Sequence, residues 1–143
     1  MNITVNSVEE TEKAAFDFAK TLKKGDVVTL DGDLGAGKTA FVRGLAKGLG
    51  IKDTVQSPTF TIVNEYTHGY LPLYHFDVYR IGSPDEMYDI GFDEYLYGDG
   101  VCSIEWALNI KDLLTMPYYE INIYKNLDIS EDFREITITE KNK

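Results

Sequence analysis

The sequence predicts a single α/β domain spanning residues 1–143, with a mixed sheet that is parallel at its centre, antiparallel additions, and helices on both faces. Two observations predict this class. Short apolar, β-branched stretches alternate along the chain with helical patterns, as in parallel sheets with crossover helices. Near the C-terminal end, residues 119–124 and 133–139 alternate between apolar and polar side chains, which is typical of an antiparallel pair. A chain of this length can bury one core large enough to fold unaided.

The N-terminal part is predicted to form a strand, a helix and a second strand. Residues 3–5 suit a short edge strand. Ser7 and Glu10 have the spacing of a capping box, which marks a helix start. Gly25 ends this helix, whose apolar face comprises Thr11, Ala14, Ala15, Phe18 and Leu22. Residues 27–30 are apolar and β-branched, which indicates a buried strand.

A glycine-rich motif follows that strand directly. Residues 32–39 read Gly-Asp-Leu-Gly-Ala-Gly-Lys-Thr, which fits the phosphate-binding pattern G-x-x-x-x-G-K-[ST]. An apolar helical stripe comes next and is closed by Gly48 and Gly50. A chance match in a chain of this length is expected in roughly one case in two hundred at average residue frequencies. Because the motif stands between a strand and a helix, we predict a P-loop NTPase domain.

The residues of this loop have separate roles toward a nucleotide. The three glycines allow positive φ and close approach of the backbone, and successive N–H groups at a helix N-terminus form an anion nest. Lys38 supplies a point charge to the β- and γ-phosphates. Thr39 offers a hydroxyl ligand to Mg²⁺. The predicted nucleotide-binding residues are Gly32, Asp33, Gly35, Ala36, Gly37, Lys38, Thr39 and Ala40.

A β-hairpin and a helix are predicted in the middle of the chain. Residues 60–66 and 70–79 are rich in β-forming side chains and turn around residues 68–69. Residues 83–86 suit a helix start with Pro84 at the first helical position. In the second strand of the hairpin, alternation places one set of side chains on a common face: Leu73, His75, Asp77 and Tyr79.

Two carboxylates are candidates for metal binding and catalysis. Glu105 follows a compact strand at residues 101–104, and ligands gather at the carboxyl ends of strands in open α/β sheets. With Lys38 it is our candidate catalytic pair, and it can hold Mg²⁺ or orient the attacking water. The alternative is a solvated glutamate that caps a helix. Asp77 is a second metal candidate, because a metal or Arg80 would relieve the cost of its burial; the alternative is an aspartate on an exposed sheet edge.

Several other residues have two interpretations each. Thr59 could sense the γ-phosphate and metal as switch loops do, or it is an ordinary turn threonine. Trp106 could stack near the nucleotide, although a buried anchor is the usual fate of a lone tryptophan. His75 is expected to pack in the core. Arg43 and Arg80 could donate to the phosphates, but neither has the spacing of an arginine finger, so we expect slow hydrolysis.

Composition restricts the setting of this chemistry. Lys and Arg total 14 against 24 Asp and Glu, a net charge of −10, so strong autonomous binding to nucleic acid is disfavoured. The single cysteine, Cys102, excludes an internal disulfide and suits a reducing cytoplasm. Neither a signal peptide nor a long apolar run is evident. We therefore expect a soluble, cytoplasmic protein that does not contact membranes.

Four motifs occur in an order that resembles one family. They are the loop at residues 32–39, Ser-Pro-Thr-Phe at 57–60, His-Phe-Asp-Val-Tyr-Arg at 75–80 and Ile-Glu-Trp at 104–106. Together they resemble the bacterial TsaE family, small P-loop ATPases of tRNA threonylcarbamoyladenosine synthesis. The resemblance extends over about residues 7–106, and the order of the four motifs is more specific than the P-loop alone.

The resemblance implies an activity and partners. Family members bind ATP and Mg²⁺, hydrolyse ATP slowly, and act with a carbamoyltransferase and its pseudo-enzyme partner, which modify the adenosine beside the anticodon. ATP turnover is thought to reset that complex, which makes the ATPase a nucleotide-gated switch that meets tRNA only through its partners. The family's metal and catalytic positions match Thr39, Asp77 and Glu105, and its neighbouring tryptophan and switch threonine match Trp106 and Thr59.

Two other functions remain open at this point. A kinase of a nucleotide or small metabolite needs a second substrate pocket and usually a basic lid, and no Arg-rich lid segment is evident. A regulatory GTPase usually carries Asn-Lys-x-Asp, whereas residues 126–128 read Asn-Leu-Asp, lack the lysine, and are not expected to follow a parallel strand. We expect the ATPase.

Overall fold

A computed structural model describes residues 1–33, 35–58 and 61–142, and it confirms the predicted α/β class. Its strands are β1 (Asn2–Val5), β2 (Val27–Gly32), β3 (Val63–Tyr66), β4 (Leu73–Asp77), β5 (Val101–Glu105), β6 (Tyr118–Lys125) and β7 (Arg134–Lys141). Its helices are α1 (Val8–Ala19), α2 (Lys38–Gly48), α3 (Glu86–Asp89), α4 (Phe92–Leu96) and a 3₁₀ helix (Ala107–Leu113).

The strands form one mixed sheet in the order β1-β7-β6-β2-β5-β4-β3. The four central strands, β6, β2, β5 and β4, are mutually parallel. β3 adds to β4, β7 adds to β6, and β1 adds to β7, each antiparallel. The predicted parallel centre with antiparallel additions is therefore confirmed. Because β2 lies in the middle, the loop after it opens at the carboxyl edge of the parallel strands, where ligands bind in such sheets.

Helices cover both faces of the sheet, as predicted. α1 and α2 pack on one face, where Leu30, Phe41 and Leu45 are fully buried in one apolar cluster. The shorter helices cover the other face, where Phe76 and Phe92 are buried in a second cluster. A fully buried side chain of this size stabilises the fold by roughly 1.5–3 kcal/mol, so each cluster favours the packing of its helices on the sheet.

α1 and α2 pack so closely that their backbones are in contact. A Cβ atom on Gly44 would overlap the Glu12 carbonyl oxygen, and one on Gly48 would lie 2.6 Å from the Phe16 carbonyl oxygen. Glycine at these two positions lets the helices approach closely. The predicted capping box at the start of α1 is confirmed, since the Glu10 amide donates to Ser7 Oγ at 3.1 Å. The second half of α2 is thus packed closely against α1, and Lys38 is the first residue of α2.

Three local predictions were wrong. α1 ends at Ala19, well before Gly25. The helix expected to begin at Pro84 begins at Glu86 and is split into α3 and α4, because the chain turns through the left-handed region at Gly91, where φ is +73°. The third concerns residues 126–128, which do follow the end of a parallel strand, since β6 pairs with β2. Alternation of side chains cannot distinguish parallel from antiparallel neighbours, and β6 has one of each.

None of the described helices combines the length and the apolar composition that a membrane span needs.

Candidate functional site

The loop after β2 has the backbone of an anion cradle. Gly35 and Gly37 have φ values of +78° and +112°, in the left-handed region that glycine enters without steric cost. Gly37 is the N-cap of α2, and no side chain among the described residues caps this helix end. The first N–H groups of α2 therefore remain available for a bound anion, and the helix dipole favours negative charge there. These observations fit a phosphate group.

The structure brings the two candidate catalytic residues together. Lys38 begins α2, and Glu105 ends β5, the strand beside β2. The Lys38 Nζ atom lies 3.9 Å from Glu105 Oε1, and the two side chains are only 11% and 7% exposed. The interpretation of Glu105 as a solvated cap is therefore wrong. A carboxylate this buried needs partners for both oxygens.

His75 supplies the second partner. Its Nε2 atom lies 2.8 Å from Glu105 Oε2, and the imidazole is fully buried. Sequence reasoning placed His75 in core packing and missed this contact with the candidate catalytic carboxylate. The signal was present, because alternation put His75 on the same strand face as Asp77, which pairs with Glu105 in register. Within the described residues, His75 Nδ1 and Ser103 Oγ are buried without a hydrogen-bond partner.

Asp77 lies on the strand beside Glu105. The two residues are register partners on β4 and β5, so they lie on the same face of the sheet. Asp77 is half-buried, and its Oδ1 accepts a hydrogen bond from the Tyr79 amide at 3.0 Å. β3 covers the outer side of β4, so the exposed-edge interpretation is wrong. Arg80 is exposed.

No ready-made metal cage is present in the part of the chain that the structure describes, where no group of three or more His, Cys, Asp or Glu is placed to hold a metal. Mg²⁺ does not require such a cage, because it is usually bound through one or two carboxylates together with substrate phosphates. Asp77 and Glu105, with the Thr39 hydroxyl in the first turn of α2, provide that kind of donor set.

Trp106 lies over the lysine. The buried anchor expected from the sequence is wrong, because Trp106 is 43% exposed. Its φ of +63° turns the chain sharply at the end of β5. The indole ring then lies 4.8 Å from Lys38 Nζ and 4.7 Å, centroid to centroid, from the Tyr79 ring. An aromatic face against an ammonium group is a favourable cation–π contact.

The remaining predicted residues lie in or next to the loop, on α2, or outside the described residues. Gly32 ends β2, Asp33 is exposed in the loop, and Ala36 and Ala40 are buried. Arg43 is engaged by Glu12, with its Nε atom 3.0 Å from Glu12 Oε1, so it faces α1 instead of donating to a phosphate. Thr59 lies outside the described residues, and its predicted switch role stays a prediction.

Cavity volume does not identify this site. A cavity of about 740 Å³ is formed by α1, β1, β6 and β7. It contains none of the predicted site residues, and its apolar lining includes Ile3, Phe18, Tyr119 and Ile138. The assignment of the site rests on the loop backbone and on the charged pair beside it.

Asp31, near the end of β2 just before the loop, has a perturbed pKa. Burial raises the pKa of Asp31, Glu120 raises it further, and the charge of Lys38 lowers it. The folded state therefore binds this proton more tightly than the unfolded state does, so the contribution of Asp31 to stability is fully present below the ordinary carboxyl pKa and is lost as pH rises through the raised pKa of the folded state.

We expect Asp31→Asn to raise the thermal midpoint at neutral pH, because the amide carries no charge that must be desolvated. The difference from the wild type should be small at acidic pH, where Asp31 is protonated, and should widen as pH rises. Thermal unfolding of the nucleotide-free protein across this range measures it, with the exposed Asp53→Asn as the matched control. A difference in thermal midpoint that does not change with pH would contradict the raised pKa of Asp31.

The chain matches known proteins over nearly its whole length. The family model described as "Threonylcarbamoyl adenosine biosynthesis protein TsaE" matches residues 5–135. The tRNA threonylcarbamoyladenosine biosynthesis protein TsaE of Bacillus subtilis is 53% identical over 136 residues, covering 95% of this chain and 82% of the relative. Its counterpart in Treponema pallidum is 44% identical over 138 residues, covering 96% and 99%. A crystal structure of Bacillus subtilis YdiB superposes with a TM-score of 0.82 at 45% identity, covering 96% of this chain and 83% of that one.

Proposed function

This chain belongs to the TsaE family of threonylcarbamoyl adenosine biosynthesis proteins, and on that premise we propose that it is a Mg²⁺-dependent ATPase of tRNA threonylcarbamoyladenosine synthesis. It binds ATP, hydrolyses it slowly, and acts as a nucleotide-gated switch on a carbamoyltransferase and its pseudo-enzyme partner. Contact with tRNA is made through these partners, and the setting is the cytoplasm. The observation that carries the proposal is the buried Lys38–Glu105 pair at the mouth of a glycine-rich phosphate loop.

The loop backbone and Lys38 perform the binding. The N–H groups at the start of α2 donate hydrogen bonds to the phosphate oxygens, and the left-handed glycines permit the main chain to approach them. The Lys38 ammonium lies 3.9 Å from Glu105 in this structure. When nucleotide binds, the ammonium contacts the phosphates and gives up part of its contact with Glu105. Thr39 and Asp77 or Glu105 would hold Mg²⁺ directly or through water, and the bound ion would neutralise charge on the phosphate oxygens.

Glu105 orients the attacking water and accepts its proton. His75 holds one carboxylate oxygen at 2.8 Å, which leaves the other side of the carboxylate toward Lys38 and the phosphates. A carboxylate fixed in this way does not have to be ordered during the reaction, and general bases of this kind contribute roughly 10²–10⁴-fold to rate. Arg43 pairs with Glu12 and Arg134 donates to a carbonyl oxygen of the loop, so neither is placed as an arginine finger, which supports slow basal turnover.

Capture of partners tests the switch. We expect the protein, used as bait in a native cytoplasmic extract, to recover the carbamoyltransferase and its pseudo-enzyme partner in amounts that differ with and without Mg·ATP. Mass spectrometry of the captured proteins measures this, and Lys38→Ala bait should abolish the effect of ATP. Failure to recover either protein in both conditions would refute the proposed partners.

Base choice is tested separately by calorimetric titration with ATP and GTP in Mg²⁺. ATP should bind more tightly, and phosphate release should occur without any acceptor substrate. A clear preference for GTP would favour the regulatory GTPase, and strict dependence on an acceptor would favour the kinase.

A further inference from the structure

A second basic residue contacts the phosphate loop from the opposite end of the chain. Arg134 is the first residue of β7, where it pairs with Lys125 at the end of β6 and with Val5 at the end of β1. Its Nε atom donates to the Ala36 carbonyl oxygen at 2.9 Å, and Nη2 donates to the Gly35 carbonyl oxygen at 3.4 Å. The guanidinium group therefore binds two consecutive carbonyl groups of the glycine-rich loop.

The same guanidinium group also closes the turn between β6 and β7. Nη1 donates to the carbonyl oxygens of Glu131 at 2.6 Å and Phe133 at 2.7 Å. With four contacts made, most of the five N–H donors of Arg134 are occupied by backbone oxygens. Arg134 is therefore placed to hold the loop and has little capacity left to bind a phosphate itself.

We propose that Arg134 is a positioning residue that orients the peptide groups of the phosphate loop for nucleotide binding. In a trans peptide the carbonyl oxygen and the following N–H point in opposite directions. Because Arg134 holds the Ala36 carbonyl oxygen on one side of the loop, the Gly37 N–H points to the other side, toward the start of α2. The inference rests on the proposed function, since that side is where the phosphates bind.

This role answers a physical need of the loop. Glycine-rich segments have many accessible backbone states, and ordering them for a ligand reduces affinity. A planar guanidinium group with donors in fixed directions restrains two carbonyl groups together, which a lysine ammonium does less well. Arg134 thereby lowers the cost of ordering the loop before nucleotide arrives.

The test compares Arg134→Gln and Arg134→Lys with Lys141→Gln. The control removes the same charge at the far end of β7, where Lys141 lies 4.0 Å from Glu120. Arg134→Gln should raise the Kd for Mg·ATP and for Mg·ADP by about tenfold or more, because charge-assisted hydrogen bonds are lost. Arg134→Lys should be intermediate, and Lys141→Gln should match the wild type. At saturating ATP, kcat should change by less than about threefold, since Lys38 and Glu105 are untouched.

Hydrogen exchange of the nucleotide-free protein gives a second readout. The Ala36 amide, which donates to the Asp33 carbonyl oxygen at 2.9 Å, should exchange faster in Arg134→Gln, while the amides of β2 should keep their protection. A Kd within about twofold of the wild type in folded Arg134→Gln would overturn the inference, as would unchanged exchange at the Ala36 amide. If Arg134→Gln does not fold, the same criteria apply to Arg134→Lys. Absence of ATP binding by the wild type would instead overturn the proposed function, and the exchange experiment would still decide the role of Arg134.

Discussion

Lys38→Ala should abolish measurable Mg·ATP turnover, with a loss of roughly 10²–10³-fold or more. The lysine is 11% exposed and held between the Glu105 carboxylate and the Trp106 ring, so its ammonium is already desolvated and directed. A charge held in a water-poor site stabilises phosphate oxygens more strongly than one in bulk solvent. Alanine removes that charge, and no other described lysine has an ion pair at Glu105 that could replace it. Calorimetry measures the loss of ATP binding, and phosphate release measures the loss of turnover.

The matched control for this substitution is Lys47→Ala. Lys47 lies on the same helix, is 61% exposed and contacts only Glu12 among the described ion pairs. It should bind and hydrolyse ATP like the wild type. Thermal unfolding of both variants without nucleotide confirms that each is folded. Near-normal ATP binding by folded Lys38→Ala would remove the basis of the nucleotide site.

Glu105→Gln should lower kcat by roughly 10²–10⁴-fold while changing the Kd for ATP by less than about tenfold. The amide keeps the size of the side chain and can still contact His75, so the packing at the end of β5 is retained. What it loses is the ability to accept a proton from water. Single-turnover hydrolysis and calorimetric titration separate the chemical step from binding.

Glu94→Gln is the control for the carboxylate. Glu94 is exposed on α4, outside the cluster of side chains at the loop. This substitution should leave kcat and the Kd for ATP unchanged. Equal losses of binding and turnover in Glu105→Gln would indicate that the carboxylate acts mainly through Mg²⁺ and the bound nucleotide. Wild-type turnover by this variant would refute its role as the base.

The parts of the site predicted from the sequence are those encoded by adjacent residues. The loop of residues 32–39 is contiguous, and its glycines and lysine are the residue types that a strand–loop–helix phosphate site demands. Glu105 could be predicted because it ends an apolar strand, and strand ends meet at one edge of a parallel sheet. In both cases local chemistry and position along an element agree.

The parts that were missed depend on contacts between distant residues. His75 meets Glu105 across 30 residues, and Arg134 meets Ala36 across 98. Alternation placed His75 on a strand face, but the pattern within one segment does not identify its partner in another. The exposed position of Trp106 arises from a positive φ that non-glycine residues seldom adopt, which side-chain patterns do not report. The parallel pairing of β6 with β2 was likewise invisible to alternation.

The place of β2 in the sheet has a consequence for the newly made chain. Both neighbours of β2, β5 and β6, are synthesised after it, and the arginine that braces the loop is made later still. A nascent polypeptide that has not yet produced residues 118–134 lacks one flank of the phosphate loop and its brace. On the proposed function, the capacity to hold nucleotide therefore arises only after residues 118–134 have been translated, and ATP would stabilise chains that contain them but not fragments ending before β6.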